Sequence, residues 1–219
     1  MSLWIKICGN TTLADAQLAA EAGANAVGFV HAPSPRKVTQ GQVAAFVPQL
    51  PAALEKIGVF VDASLAEITS AVENCGLTGI QLHWGAPREL PMKLRLRHGP
   101  RLRILRVVYA DGGGALVAFS PESAKSVDAI LIDSHTTYAA GGTGVAFDWT
   151  AAGKDLLKSA GNRKLVVAGG LNPSNVAEAI ATLHPWGVDV VSGVESEPGR
   201  KDPDRVRAFI ANARAAAGA

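Results

Sequence analysis

Side chains that could transfer protons stand directly after short apolar runs of the sequence. Cys8 ends the run WIKIC, and Asp133 ends the run AILID. A thiol and a carboxyl suit paired proton transfers, because one group withdraws a proton while the other donates one. An unperturbed thiol titrates near ~8.5 and an exposed aspartic acid near ~3.9. The base therefore needs stabilisation as a thiolate, and the acid needs its pKa raised by burial.

Small residues that follow three of the apolar runs, one of them again AILID, form a second group. They are Gly142, Thr143, Gly144, Gly169, Gly170, Ser192 and Gly193. Backbone N–H groups approach a phosphate closely only where side chains are absent. Glycines also occur in such turns merely to permit positive φ. The barrel predicted below would bring the ends of these runs to one rim, which favours a phosphate site there, and we predict a small phosphorylated molecule as the partner.

The spacing of the histidines gives no support for a metal centre, and we predict none. His31, His83 and His135 fall near the predicted rim, but none forms the close H-x-H or H-x-x-x-H pair that presents two imidazoles together. Cys75 closes a predicted helix, where a buried apolar role is preferred. His98 and His184 fall at predicted outer helix ends, where solvation is the preferred interpretation.

Eight short apolar runs recur along the chain and predict strands. They are WIKIC (4–8), AVGFV (26–30), KIGVFV (56–61), GIQLH (79–83), RILRVV (103–108), AILID (129–133), KLVVAG (164–169) and VDVVSG (188–193). Near-continuous apolar strands fit a parallel sheet that is buried on both faces. Eight β-then-α units predict an α/β chain with a closed (β/α)8 TIM barrel, as a single domain over residues 1–219.

Helix signals fill most gaps between these runs. Thr12, Ser64 and the pair Asn172-Pro173 precede helical spacing, while Gly23 and Gly76 stand where helices should stop. The stretch from 109 to 126 is less regular. An open doubly wound sheet is the alternative, but it would usually carry a G-x-G-x-x-G turn after the first strand, and CGNTTLAD has none.

The barrel predicts which side chains meet. Side chains alternate along a strand, so Lys6 and Cys8 share one face, and if that face points inward the thiol opens onto the rim. Asp133 would face it across the mouth. A buried ammonium needs a partner, and the last strand closes on the first. We therefore predict that Asp189 pairs with Lys6.

Bulk properties exclude several classes of partner. The 21 basic and 19 acidic residues give a net charge of +2, which calls for neither nucleic acid nor an anionic membrane. The local cluster KLRLRHGPRLRILR (93–106) lacks interleaved aromatic residues and favours an amphipathic helix running into a strand. No run of 18 apolar residues and no leader is seen, so the default location is cytoplasmic. With only two cysteines in the chain, we predict that both are reduced thiols. The sequence does not indicate the oligomeric state.

At this point the sequence resembles the phosphoribosylanthranilate isomerases of the tryptophan pathway, a (β/α)8 barrel family. The likeness runs from residue 5 to about residue 202. It rests on KICGNT (6–11), GFV…SPR (28–36), GVFVD (58–62), IQLH (80–83), LIDS (131–134), GGTGVAFDW (141–149), AGGLNPSNV (168–176) and DVVSGVESEPGRKD (189–202).

The resemblance implies an Amadori rearrangement of N-(5-phosphoribosyl)anthranilate to the 1-deoxyribulose 5-phosphate derivative. It implies Cys8 as the general base, Asp133 as the general acid and Arg36 as the partner of the anthranilate carboxylate, for which a planar guanidinium is well suited. The GGTG, AGG and SG backbones would hold the phosphate. Gln81 and His83 match the strand-4 motif, where His83 either binds substrate or only braces the rim. Such an isomerisation needs no cofactor.

The sequence departs from the family pattern at two positions, and two alternative functions compete with this one. Trp84 adds bulk beside the mouth, and Asp62 stands where an asparagine is common. The histidine-pathway isomerase performs the same rearrangement on a larger substrate, but it uses an aspartate where this chain has Cys8, and a second phosphate site expected there is not seen. A barrel that binds phosphate ligands without turnover is the rival from another class, and retention of Cys8 and Asp133 argues against it.

Overall fold

Eight parallel strands close into a barrel in which every strand pairs with both neighbours in chain order. We describe residues 3–83, 85–109, 125–133 and 163–218 of a computed structural model. The barrel strands are β1 (Trp4–Ile7), β2 (Ala26–Val30), β3 (Glu55–Phe60), β4 (Gly79–Leu82), β5 (Arg103–Tyr109), β6 (Ala129–Asp133), β7 (Lys164–Val167) and β8 (Gly187–Val190). The predicted closed barrel is confirmed, and the open sheet is wrong.

Six helices occur in the described residues. They are α1 (Leu13–Glu21), α2 (Gln40–Phe46), α3 (Leu65–Cys75), α4 (Leu90–His98), α5 (Val176–Leu183) and α6 (Pro203–Gly218). Single 3-10 turns lie at Val47–Gln49 and Ser192–Val194. The irregular stretch predicted around 109–126 lies mostly outside the described residues. None of the helices in the described ranges has the length and apolar character that crossing a bilayer requires.

The predicted helix signals are confirmed at two starts. Thr12 accepts a hydrogen bond from the Asp15 amide at the start of α1. Ser64 and Glu67 form a reciprocal capping box at the start of α3, and Gly76 ends that helix in the left-handed region with φ 66°. These caps satisfy backbone groups that would otherwise lack partners, so they fix the residues at which the helices begin and end.

One helix start is wrong. The sequence pattern placed it after Asn172-Pro173, but α5 begins at Val176. The Asn172 side chain instead accepts from the Ser174 amide, and Asn175 Oδ1 accepts from the Asn172 amide. These local side-chain bonds give the backbone an alternative to the helix, so a turn precedes α5.

Two apolar layers form the core. The outer layer lies between the outward strand faces and the helices, and it includes Ile7 and Phe29 of the strands and Ala16 of α1. The inner layer fills the barrel and includes Trp4, Ala26, Ile57, Leu105, Val107, Ala129, Leu131, Val166 and Ala168. Because side chains alternate along each strand, this inner layer identifies the inward face of the six strands that contribute to it, which are β1, β2, β3, β5, β6 and β7.

A small antiparallel hairpin follows the barrel, and the sequence analysis did not predict it. Its strands are β9 (Glu195–Glu197) and β10 (Arg200–Lys201). Gly199 turns the chain between them with φ 86°. The hairpin leads directly into α6, and the Asp202 amide donates to the carbonyl of Val194. It therefore lies beside the end of β8.

Candidate active site

Cys8 lies immediately after β1, on the inner face that Trp4 and Lys6 share. Its side chain is buried, and its amide donates to the Val190 carbonyl of the neighbouring strand. Gly28 of the neighbouring strand β2 lies beside the thiol, since a Cβ placed there would be 2.4 Å from Cys8 Sγ. The predicted inward orientation of Cys8 is confirmed, and Gly28 is a contributor that the sequence analysis missed.

The environment of Cys8 acts on its acidity in two directions. Burial raises the pKa of the thiol, while the Lys6 ammonium beneath it opposes that rise. Burial outweighs Lys6, so the pKa lies above its ordinary value. The stabilised thiolate that base catalysis calls for is therefore supplied only in part, and the thiol form predominates at neutral pH.

Lys6 is fully buried inside the barrel and has two acidic or polar partners. Its Nζ donates to Asp189 Oδ2 at 2.9 Å and to Gln81 Oε1 at 2.8 Å. The predicted pair between Lys6 and Asp189 is thus confirmed. Burial alone would lower the pKa of Lys6, but the Asp189 carboxylate raises it above its ordinary value. Lys6 therefore stays charged beneath Cys8.

The side-chain amide of Gln81 forms hydrogen bonds with both Lys6 and His83. An ammonium can only donate, so the Gln81 oxygen must face Lys6 and its amide nitrogen must face outward. That nitrogen lies 2.9 Å from His83 Nε2, which therefore accepts and carries no proton. Burial, with Lys6 and Arg106 nearby, lowers the pKa of His83 to about 4. His83 is neutral at pH 7, with its proton on Nδ1.

We expect His83 to make the protein less stable in acid. Its pKa of about 4 lies below the ordinary 6.5, so the unfolded chain binds the extra proton first and stability falls as pH drops from 6.5 to 4. The loss from pH 7 to pH 4.5 is about 2 kcal/mol. Urea unfolding of the intact protein and of His83→Gln at both pH values should show a smaller loss in the variant. Equal losses would contradict this role.

Asp133 ends β6 and is half-buried. Alternation from Ala129 and Leu131 of the inner layer places it on the inward face, at the same end of the barrel as Cys8. Only β7 and β8 separate its strand from β1 around the ring. The thiol and the carboxyl thus belong to one rim, as predicted.

Arg36 lies in the loop after β2 and is buried rather than solvated. Its Nε donates to Glu195 Oε1 at 2.9 Å, and its Nη2 donates to Glu195 Oε2 at 2.6 Å. The hydrocarbon stem crosses Gly9, where a Cβ would be 2.8 Å from Arg36 Cδ. Gly9 has φ 73°, a conformation that glycine adopts without strain, and the missing side chain also makes room for Arg36.

Lys201 of the hairpin binds the same glutamate as Arg36. Arg36, Glu195 and Lys201 therefore form one cluster of charged side chains, the hairpin cluster. Its Nζ donates to Glu195 Oε1 at 3.0 Å and to the Cys8 carbonyl at 2.6 Å. Lys201, Glu195 and Arg36 are each less than a tenth exposed. Neither Glu195 nor Lys201 was predicted as a site residue, although both lie within the ESEPGRKD motif.

The loops after β7 and β8 come into direct contact. A Cβ at Gly193 would lie 1.9 Å from the Leu171 carbonyl oxygen, so only glycine fits there. Gly169 and Gly170 have φ of 81° and 64°, which glycine adopts without strain. The predicted phosphate residues Gly169, Gly170, Ser192 and Gly193 are therefore brought together. Gly142, Thr143 and Gly144 lie outside the described residues, as do Trp84 and the loop after strand 6.

Asp62 follows β3 with φ 47°, in the left-handed region that asparagine and aspartate tolerate better than most residues. Its backbone explains why either residue suits this position.

Cys75 is buried and His98 ends α4, as predicted. In the described ranges no three His, Cys, Asp or Glu side chains converge in a way that could hold a metal ion.

Comparison with known proteins agrees with this arrangement. The family described as N-(5'-phosphoribosyl)anthranilate isomerase matches residues 5–212. The N-(5'-phosphoribosyl)anthranilate isomerase of Citrifermentans bemidjiense is 41% identical over 211 residues, which are 96% of this chain and 96% of that protein.

Solved structures give the same result. The phosphoribosyl anthranilate isomerase of Thermus thermophilus has a TM-score of 0.81 and 33% identity, with 96% of this chain and 98% of that chain covered. Another phosphoribosyl anthranilate isomerase, in complex with reduced 1-(o-carboxyphenylamino)-1-deoxyribulose 5-phosphate, has a TM-score of 0.76 and 32% identity, with 97% and 99% covered. The chain belongs to the N-(5'-phosphoribosyl)anthranilate isomerase family.

Proposed function

We propose that the protein is an aldose-ketose isomerase of tryptophan biosynthesis, which converts N-(5-phosphoribosyl)anthranilate to 1-(2-carboxyphenylamino)-1-deoxyribulose 5-phosphate. The observation that carries this proposal is the placement of Cys8 and Asp133 on one rim of a barrel whose chain matches the family over residues 5–212. Nearly full coverage of relatives with that name supports it.

Asp133 acts first, as the general acid. It protonates the furanose ring oxygen, so the bond from that oxygen to C1 breaks and a Schiff base forms between C1 and the anthranilate nitrogen. Cys8, as thiolate, then removes the proton from C2, and the electron pair moves to give an enolamine. Transfer of a proton to C1 and loss of the C2 hydroxyl proton yield the ketone. The overall change opens the ring and moves protons within one molecule without net oxidation or reduction, so the sequence-based prediction of no cofactor is kept.

Binding of the two anionic ends is also proposed. Arg36 would bind the anthranilate carboxylate through the donors that Glu195 leaves free. Gly169, Gly170, Ser192 and Gly193 would bind the phosphate with Gly142, Thr143 and Gly144. The neutral His83 and Gln81 would brace Lys6 beneath Cys8 rather than transfer protons, because His83 Nε2 accepts from the Gln81 amide and so has no proton to donate.

The function is tested by turnover of purified protein. Loss of the fluorescence of phosphoribosylanthranilate should follow addition of the intact protein. Turnover of the aminoimidazole substrate alone would favour the histidine-pathway rival. Binding of the reduced product analogue without any turnover would overturn the proposal in favour of a binding barrel.

A cytoplasmic location and a single catalytic domain over residues 1–219 stay predictions.

Gly28→Ala is expected to lower kcat by about 10- to 100-fold, because the new methyl group must displace the Cys8 thiol that lies 2.4 Å from its position. Overpacking should also cost about 1–3 kcal/mol of stability. Gly41→Ala in α2 is the matched control, since its Cβ would meet nothing nearer than 4.0 Å. A Gly28→Ala enzyme with the intact protein's kcat would show that the thiol position does not limit the reaction.

A further inference from the structure

The bond pattern of Arg36 divides its guanidinium into two edges. Glu195 takes the side edge, through Nε and Nη2. A guanidinium has five N–H donors, so Nη1 and the second Nη2 proton form an end edge that no recorded contact with Glu195 uses. A carboxylate binds such an edge through two parallel hydrogen bonds. Glu195 therefore fixes the direction in which that end edge points.

The side chains of the cluster carry more positive charge than negative charge. Arg36 and Lys201 each carry one positive charge, and Glu195 between them carries one negative charge. The three bonded side chains by themselves hold one positive charge in excess, although all three are buried, and the buried Asp15 carboxylate, which accepts from the Lys201 amide at 3.4 Å, offsets part of that excess. Burying an unpaired charge is costly, so the cluster is suited to bind one further anionic group.

Lys201 ties the same cluster to the backbone of Cys8. Its ammonium donates to the Cys8 carbonyl at 2.6 Å and lies 3.4 Å from the Val191 carbonyl. The hairpin that carries Glu195 and Lys201 consequently holds both the guanidinium and the peptide unit of the thiol. A charged donor to a backbone carbonyl is a strong hydrogen bond, and losing it leaves a buried oxygen without a partner.

We propose that Glu195 and Lys201 are positioning residues with separate tasks, an inference that rests on the proposed function. Glu195 aims Arg36 at the anthranilate carboxylate. Lys201 holds the Cys8 peptide unit, and with it the thiol, at the proton on C2. The two residues thereby set the distance between the carboxylate-binding and proton-abstracting ends of the substrate.

The decisive experiment compares two substrates. One is phosphoribosylanthranilate, and the other is N-(5-phosphoribosyl)aniline, which lacks only the carboxylate. Glu195→Gln should lower kcat/KM for phosphoribosylanthranilate by about 10- to 100-fold, mainly through KM, because misdirected Arg36 loses its bidentate contact. With the aniline substrate the same variant should stay within about threefold of the intact protein, since nothing remains for Arg36 to bind.

Lys201→Met should give the opposite signature. Its kcat should fall by about 10-fold or more on both substrates, with KM little changed, because Cys8 abstracts the same proton from each. Glu55→Gln is the matched control: Glu55 forms a two-bonded pair with Arg103 at the starts of β3 and β5, the opposite end of the barrel, and both kinetic constants should be unchanged.

Each result decides the inference. Equal losses on both substrates with Glu195→Gln would reduce Glu195 to a structural role, and no loss on either would remove it from the site. If Glu195→Gln does not fold, Glu195→Asp keeps the charge but moves it away from Arg36, and it should show the same substrate dependence to a smaller degree. Absence of turnover by the intact protein would overturn the proposed function itself, which no variant result imitates.

Discussion

Replacement of Cys8 by Ala, or of Asp133 by Asn, is expected to lower kcat for phosphoribosylanthranilate by about 10²- to 10⁴-fold, with KM little changed. Each substitution removes one proton-transfer group from the rim while leaving Arg36 and the glycine loops in place. Stopped assays of fluorescence loss, on variants with intact circular dichroism, measure the effect. Cys75→Ala is the control for a thiol without a role in the site, and its kcat should match that of the intact protein.

The pH dependence separates the two groups. Because burial raises the pKa of Cys8, the thiolate fraction and kcat/KM should increase as pH rises above neutrality. This rising limb should vanish in Cys8→Ala, whose residual activity has no thiol to titrate. It should persist in Asp133→Asn. Retention of more than a tenth of the activity in both variants would contradict the proposed acid and base.

The barrel and the interior of the site could be predicted because each follows from a short repeating rule. Apolar runs identified all eight strands, and the alternation of side chains placed Lys6 and Cys8 on the inner face. Closure of the ring then brought Asp189 against Lys6 at 2.9 Å. These inferences needed only local pattern and topology, both of which the sequence contains.

The hairpin cluster could not be predicted from such rules. Its strands have three and two residues, which is too short for an alternation pattern to be recognised. Glu195 reaches Arg36 across 159 positions, and Lys201 reaches Cys8 across 193. Contacts of that range depend on how loops at different strand ends meet. The tight fit at Gly28 was missed for a related reason, since a strand glycine shows what it lacks but not which side chain needs the space.

The net pKa of Cys8 illustrates a further limit. The sequence established that a base needs a stabilised thiolate, and Lys6 beneath the thiol supplies attraction of the right sign. Whether attraction or desolvation prevails depends on how far the thiol is removed from water. Cys8 is only 3% exposed, and burial prevails. Depth of burial is a property of the closed barrel rather than of the motif.

Breaking the pair between Lys6 and Asp189 is expected to have the largest effect on stability. Lys6→Met alone leaves the Asp189 carboxylate buried without its ammonium, and Asp189→Leu alone leaves the ammonium without its carboxylate. Removal of one partner from a buried pair costs about 3–5 kcal/mol. The free energy of unfolding in urea should fall by that amount in either single variant. Lys93→Met is the control, since its pair with Glu89 is exposed and should contribute less than about 1 kcal/mol.

The double variant Lys6→Met/Asp189→Leu tests the cause of that loss. If an unpaired buried charge is responsible, removing both charges should restore most of the stability. In Lys6→Met the penalty should also grow from pH 5 to pH 8, because the isolated carboxyl escapes it by binding a proton at low pH. The restored double variant should still have a low kcat, since Cys8 keeps its burial but loses the Lys6 ammonium, the larger of the two cationic effects that oppose the rise in the pKa of its thiol. A single variant that unfolds at the same urea concentration as the intact protein would show that the pair contributes nothing to folding.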